Sequence, residues 1–318
     1  MKKLILYFEE LDFQKETMDL IKSKFEIINS KRLKDNHFSK IVSIILPMND
    51  YYSGKFFSKF SNLRTVLSPT TGNIHLDTKY LFTKNIKIIN LSNQKNRLNQ
   101  ITATSELAIG HILNLTRKIL IIHNEFTLSK MFNKHNYLLS NNMLTIGIVG
   151  MGRIGRHLAD RAAALGFKVI YFDPFVNYKK YIKMKSLKNL IKNSNILTIH
   201  MHYEKKYFNM FNLKVFKMLK KPSYFINTAR GEFVNEKDII KSLKRGILNG
   251  AGLDVLKKEY SKNFRANPKK NVLLDFFVKN KKYNLFITPK QGGSNKSAWA
   301  LTEKIIVNQL IKYEKNRI

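Results

Sequence analysis

The chain contains no cysteine, one tryptophan, six prolines and only 22 acidic residues against 57 lysines and arginines. The lack of cysteine excludes disulfides, thiolate zinc sites and cysteine nucleophiles, and it suits a reducing cytoplasm. Long apolar runs are absent too. Nothing approaches the roughly 18 uninterrupted apolar residues of a membrane span, so no membrane partner is expected. The opening Met1-Lys-Lys-Leu-Ile-Leu-Tyr-Phe-Glu9-Glu10 is closed by two acids and reads as a first β-strand rather than a targeting segment. The shortage of acid leaves a formal net charge of +35. Lysine carries most of that charge and is spread along the whole chain, whereas bidentate phosphate and base readout favours arginine. No nucleic-acid partner is therefore expected. The positive field would instead draw anionic small molecules towards clefts. No metal site is expected either. His200 and His202 stand two apart on an apparent strand face, but no acid or third ligand accompanies them.

At 318 residues and 44% hydrophobic content the chain is globular and long enough for two domains. Its most specific feature is Thr145-Ile-Gly-Ile-Val-Gly150-Met-Gly152-Arg153-Ile154-Gly155, an apolar strand running into glycines spaced G-x-G-x-x-G. A helical run follows, then Val169-Ile-Tyr-Phe-Asp173. Gly150 allows the tight turn, Gly152 lets the backbone approach a pyrophosphate, and Gly155 lets the helix pack closely. The helix N-terminus offers free N–H groups to phosphate. Asp173 follows Gly155 by 18 residues, close to the spacing of an acid that binds a ribose 2′-hydroxyl. A carboxylate there repels a 2′-phosphate, so the motif predicts NAD rather than NADP. A methyltransferase using S-adenosylmethionine is the nearest chemical rival.

Strand-like runs at Leu4–Phe8, Ile41–Pro47 and Thr65–Leu67 alternate with helical segments over the first hundred residues. Thr104–Ile121 places Ala108, Ile109, Ile112, Leu113, Ile119 and Leu120 at helical spacing, predicting one long helix. Further strands are expected at Ile196–His200, Tyr224–Asn227, Gly252–Val255 and Leu285–Thr288, and a helix at Ala298–Tyr313. Strands that alternate with helices predict a parallel sheet covered on both faces.

Three segments fall at expected strand ends: Ile226-Asn-Thr-Ala-Arg230-Gly231-Glu232, Ala251-Gly-Leu-Asp254-Val-Leu-Lys-Lys-Glu259 and Ile287-Thr-Pro-Lys290-Gln-Gly292-Gly293-Ser294. Together with Gly150–Gly155, they resemble the D-isomer-specific 2-hydroxyacid dehydrogenase family, which includes phosphoglycerate dehydrogenase. Leu67-Ser-Pro-Thr-Thr-Gly72 and the helix start Thr104-Ser-Glu106-Leu-Ala also have family counterparts. The resemblance implies a Rossmann-type doubly wound NAD domain (101–288) inserted into a smaller flavodoxin-like α/β substrate domain (1–100 and 289–318). Linkers near Gln100 and Thr288 would allow closure. Arg230 matches the arginine that grips the substrate carboxylate, a task suited to a planar charged fork. Glu259 matches the carboxylate that orients the acid/base, and Asp254 the residue that holds the nicotinamide carboxamide. Arg153, Ile154, Thr228 and Ala229 fall at the cofactor. Two-fold homodimers in the family form about the helix from Thr104.

One departure stands out. The family carries histidine where this chain has Lys290. Histidine titrates near neutrality and serves in both directions, while lysine, with a reference pKa near 10.4, is normally locked in the acid form. Beside Glu259 it would be held protonated more firmly still, unless burial opposes that. Three readings stay open: Lys290 is the working acid, His202 or His75 substitutes, or the chain is a catalytically weakened NAD-binding sensor or scaffold. Ile74 stands where an aspartate is common, Met48-Asn-Asp50 lacks the usual arginine, and Tyr260 replaces the proline after Glu259. The particular 2-hydroxy acid is therefore not implied.

Overall fold

The computed structural model describes residues 2–316 except 49, 74, 126–137 and 260, so Asn49, Ile74 and Tyr260 lie outside the described residues. The chain divides into two compact units, Met1–Ile101 with Asn295–Ile318, and Thr102–Ser294. The second break falls six residues beyond the expected 288/289. The reason is local: the Thr288–Gly292 segment is tied by side chains to the Thr102–Ser294 unit, as described below.

The first unit holds a parallel sheet of β1 (Leu4–Tyr7), β2 (Glu26–Asn29), β3 (Ile41–Ile45), β4 (Thr65–Leu67) and β5 (Lys87–Ile89), in the order β2-β1-β3-β4-β5. This is the flavodoxin-like strand order. Alternation along the strands sends Ile5, Ile45 and Leu67 to one face, under Ile305, Ile306 and Leu310 of the helix Lys296–Lys315. Leu6, Ile44 and Val66 face the other way, against Phe57, Phe60 and Leu81. Both faces are covered, so these strands read as continuous apolar runs. The half-exposed β2 and the short β5 lack that signature and were not expected from sequence.

The second unit contains β6 (Thr145–Val149), β7 (Lys168–Phe172), β8 (Ile182–Lys183), β9 (Ile196–Ile199), β10 (Tyr224–Asn227), β11 (Gly250–Leu253) and β12 (Leu285–Ile287). They pair in parallel in the order β12-β11-β10-β9-β6-β7-β8, a doubly wound sheet whose strand order reverses between β6 and β9. Ile146, Ile148, Ile196 and Ile226 pack beneath the helices Ala103–Arg117 and Arg153–Ala164, through Ala108, Ile112, Leu115, Leu158 and Ala162. Leu197, Ile199, Phe225 and Leu253 face Phe211, Phe216, Ile239, Leu273 and Phe276. Each such buried aliphatic or aromatic side chain contributes about 1.5–3 kcal/mol.

The long helix expected over Thr104–Ile121 is broken. Ala103–Arg117 ends at Lys118, which takes a left-handed conformation with φ 52°, and a second helix runs Ile119–Asn124. The Asn114 side chain accepts the Leu120 N–H at 3.0 Å, stabilising the break in a way that apolar periodicity does not reveal. His200 follows β9 rather than lying in it, and His202 is exposed in the loop beyond, so the two do not share a strand face.

Candidate active site

One register row runs across six strands of the second unit: Phe172, Val149, Ile199, Asn227, Leu253 and Ile287 are successive partners. The next residue on each strand is therefore Asp173, Gly150, His200, Thr228, Asp254 or Thr288. In a doubly wound sheet, ligands bind beyond this carboxyl edge, near the point where strand order reverses.

At that point the glycines are required by space. Gly150 has φ +96°, and a Cβ on it would lie 2.7 Å from the His200 carbonyl oxygen. A Cβ on Gly155 would lie 2.1 Å from the Gly150 oxygen. At Gly152, which caps the helix Arg153–Ala164, a Cβ would meet nothing within 4 Å. The backbone there faces open space at the N-terminus of a helix, the end that favours an anion, which fits a pyrophosphate. Asp173 is buried. Its Oδ2 accepts the Met151 N–H at 2.8 Å, and its Oδ1 accepts those of Phe175 (2.8 Å) and Val176 (3.0 Å). It braces the glycine loop, and Oδ2 retains a second lone pair for a hydroxyl. Ile154 and Arg153 lie on the first helical turn, where burial lowers the Arg153 pKa. Arg156 stacks over Tyr178 at 4.8 Å and donates to the Met151 carbonyl at 3.2 Å.

On the other side of the row, Asn227 shapes the loop that carries Arg230. Its Oδ1 accepts the Ala229 N–H at 3.0 Å and its Nδ2 donates to the Arg230 carbonyl at 2.8 Å. Arg230 Nη1 donates to the Ala229 carbonyl at 2.7 Å, which orients the guanidinium. Gly231 is obligatory, because a Cβ there would stand 2.1 Å from the Leu256 carbonyl carbon. Thr228 is buried, and its Oγ1 has no hydrogen-bond partner.

Asp254, 2% exposed, organises the Lys290 loop. Its Oδ1 accepts from Thr288 Oγ1 and from the Gln291 N–H, each at 2.6 Å, and its Oδ2 accepts the Gly292 N–H at 2.8 Å. Its carbonyl accepts the Lys290 N–H at 3.0 Å. Lys290 itself is left-handed, φ 55°. Its Nζ lies 3.2 Å from Glu259 Oε1, while Glu259 Oε2 accepts the Leu256 N–H at 2.9 Å. Burial, aided by Arg230, lowers the Lys290 pKa below the ordinary lysine value and outweighs the opposing pull of Glu259 and Asp254. Of the two opposed influences weighed from the sequence, burial prevails over Glu259: desolvation of Nζ costs the ammonium more than the carboxylate returns.

The structure thus brings Arg230, Asp254, Glu259 and Lys290 together, while the glycine loop and Asp173 line the same sheet edge nearer β6 and β7. His75 belongs to the first unit. Its Nε2 is 2.9 Å from Ser68 Oγ in the loop after β4, and burial lowers its pKa to about 4. Among the described residues, no group of three or more His, Cys, Asp or Glu residues could hold a metal.

Residues 109–289 match the family model described as D-isomer specific 2-hydroxyacid dehydrogenase, NAD binding domain. The chain belongs to this family. It is 28% identical over 256 residues to a glycerate dehydrogenase of Methylorubrum extorquens, covering 79% of this chain and 74% of the relative. A glyoxylate reductase of Thermococcus litoralis is 30% identical over 228 residues, 68% of this chain and 65% of that protein. The crystal structure of a D-lactate dehydrogenase from Aquifex aeolicus, complexed with NAD and lactic acid, shares the fold. Its TM-score is 0.80 and its identity 22%, with 98% of this chain and 96% of that one covered.

As a member of the NAD-dependent 2-hydroxyacid dehydrogenases, the chain has an NAD-binding domain whose open Gly152 edge fits the cofactor's pyrophosphate. Sequence reading missed two residues of this site, His111 and the Thr288 hydroxyl. The only available signal for His111 was a polar side chain on the buried helix face between Ala108 and Leu115. No helix among the described residues is long and apolar enough to cross a membrane.

Proposed function

We propose that the chain transfers a hydride between NAD and C2 of a small D-2-hydroxy or 2-oxo acid, with Lys290 as the proton donor and acceptor. The observation that carries this reading is the Lys290 Nζ–Glu259 Oε1 pair, 3.2 Å apart, on a loop anchored to Asp254. Bound NAD supplies or accepts the hydride. Gly150, Gly152, Arg153, Ile154 and Gly155 would hold its phosphates, Asp173 its ribose, and Thr228, Ala229 and Asp254 its nicotinamide end. Arg230 presents its remaining N–H groups to the substrate carboxylate and polarises the keto oxygen. In reduction the Lys290 ammonium gives one proton to that oxygen as C2 gains the hydride, and the neutral amine is reprotonated from solvent. Oxidation runs the same steps in reverse. Glu259 sets the position of Nζ. The unit built on β1–β5 serves as the substrate domain.

A net charge of +35 favours anionic substrates, so phosphoglycerate, as in phosphoglycerate dehydrogenase, belongs in the screen beside glyoxylate, hydroxypyruvate and pyruvate. We also place two copies in a two-fold homodimer, supported by Ile119, Leu120 and Ile122 exposed on the helix after Ala103–Arg117. The cysteine-free composition supports a cytoplasmic setting. The test is the absorbance of NADH, consumed with glyoxylate, hydroxypyruvate, pyruvate and further 2-oxo acids and formed from NAD with phosphoglycerate. Turnover of any of them supports the reading. Intact NADH binding without turnover on every acid would instead support a non-catalytic NAD-binding protein.

A further inference from the structure

We infer that His111 is a positioning residue for the acid/base, acting through a hydrogen-bonded chain from His111 through Thr288 to Asp254; this rests on the reading of Lys290 above. His111 is fully buried in the helix Ala103–Arg117, and its Nε2 lies 3.0 Å from Thr288 Oγ1. The Thr288 hydroxyl has one proton, and the carboxylate of Asp254, 2.6 Å away, can only accept it. Thr288 must therefore accept from His111, which fixes the ring as the Nε2–H tautomer. Nδ1 then carries no proton, and it has no hydrogen-bond partner. It presses against Gly252, where a Cβ would come within 2.7 Å of it. The small residue on β11 exists to admit the ring. Burial holds the His111 pKa down to about 4, so the ring stays neutral and donates through Nε2 across the working range.

The same helix grips the loop a second time. Thr104 Oγ1 donates to the Gly292 carbonyl at 2.7 Å. Thr104 and His111 are seven residues apart and so share one helix face. One holds the end of the Thr288–Gly292 loop, the other its start, and Asp254 takes donors from Thr288, Gln291 and Gly292 in between. Lys290 sits at the apex of this frame in a left-handed conformation. If the helix releases either end, the Nζ position relative to Glu259 and Arg230 is lost, while the glycine loop that would hold the cofactor is untouched.

The test compares the full chain with His111→Leu, His111→Gln, Thr288→Val and the double variant His111→Leu/Thr288→Val. Displacing a reacting group by about 1 Å can cost on the order of 100-fold in rate. We expect His111→Leu and Thr288→Val each to lower kcat about 10- to 100-fold, with the NADH dissociation constant changed by no more than a few-fold, because the glycine loop and Asp173 are untouched. The double variant should be no worse than either single one, because both cut the same chain. His111→Gln, whose amide can still donate to Thr288, should keep most of the activity. A second readout needs no turnover: the rate at which acetic anhydride labels Lys290, followed by peptide mass spectrometry, should differ several-fold from the parent in His111→Leu and Thr288→Val and stay near the parent in His111→Gln. NADH binding reports folding, and Thr288→Val is close to isosteric should His111→Leu not fold. Parental kcat and parental labelling in Thr288→Val would overturn the inference. A parent inactive on every acid would overturn the catalytic reading alone, because labelling still reports whether the chain positions Lys290.

Discussion

Lys290 Nζ and Glu259 Oε1 stand 3.2 Å apart, yet Lys290 is easier, not harder, to deprotonate than an exposed lysine. More than a third of the lysine side chain is exposed, but the nitrogen itself is buried, so the ammonium loses hydration where its charge resides. Arg230 adds a second positive charge, and Glu259 with Asp254 only partly offsets the two.

The pH dependence should reflect that balance. Reduction needs the ammonium and should run at neutral pH. Oxidation needs the free amine, so its kcat/KM should rise with pH, with a midpoint below the reference lysine value of about 10.4. Glu259 favours the ammonium, so Glu259→Gln should move the rising limb to still lower pH. Lys290→Ala should lower both directions by about 10²- to 10⁴-fold, the range for loss of a general acid or base. Parental pH profiles in Lys290→Ala would assign the proton to another group.

Arg230→Lys keeps a charge and loses the fork. A hydrogen bond to a charged group is worth about 1.5–3 kcal/mol, so kcat/KM for the acid should fall about 10- to 100-fold. NADH affinity, read by fluorescence titration, should remain within a factor of two or so. Retention of most activity in Arg230→Lys would remove this residue from carboxylate binding.

Asp173 should make NAD(H) bind at least about tenfold more tightly than NADP(H), equivalent to about 1.4 kcal/mol. Its carboxylate also carries the N–H groups of Met151, Phe175 and Val176, so Asp173→Ala should both erode the preference and lower the melting temperature. Calorimetry with both dinucleotides on parent and variant checks the two effects. Equal affinities in the parent would place the ribose elsewhere.

Acid should destabilise both units. His75 and His111 are buried, and burial depresses each pKa to about 4, below the unfolded value near 6.5. Between those values the unfolded chain binds protons that the folded chain does not, so stability falls as pH drops from about 6.5 towards 4. A shift of this size corresponds to about 3 kcal/mol per histidine. Urea midpoints measured from pH 7 to pH 4.5 should decline steadily, and His111→Gln should flatten the slope.

Much of the site was legible in the sequence because it is built from short contiguous segments. Gly150–Gly155 needs only a strand, a turn and a helix in succession, and Asp173 only the end of the next strand, so spacing alone marks them. Asn227–Gly231 is similar, since Asn227 holds Ala229 and Arg230 within its own loop. Continuous apolar runs announced the strands covered on both faces, while the exposed β2 and the two-residue β8 carried no such pattern. Two matters waited for the tertiary structure. The protonation of Lys290 depends on how far burial outweighs Glu259, and desolvation belongs to the packed surroundings rather than to residue types. The grip of His111 on Thr288 joins residues 177 apart in the chain, which no periodicity can anticipate. That long-range contact, together with Thr104 on Gly292, is also why the Lys290 loop belongs to the doubly wound unit rather than to the substrate domain where the sequence had placed it.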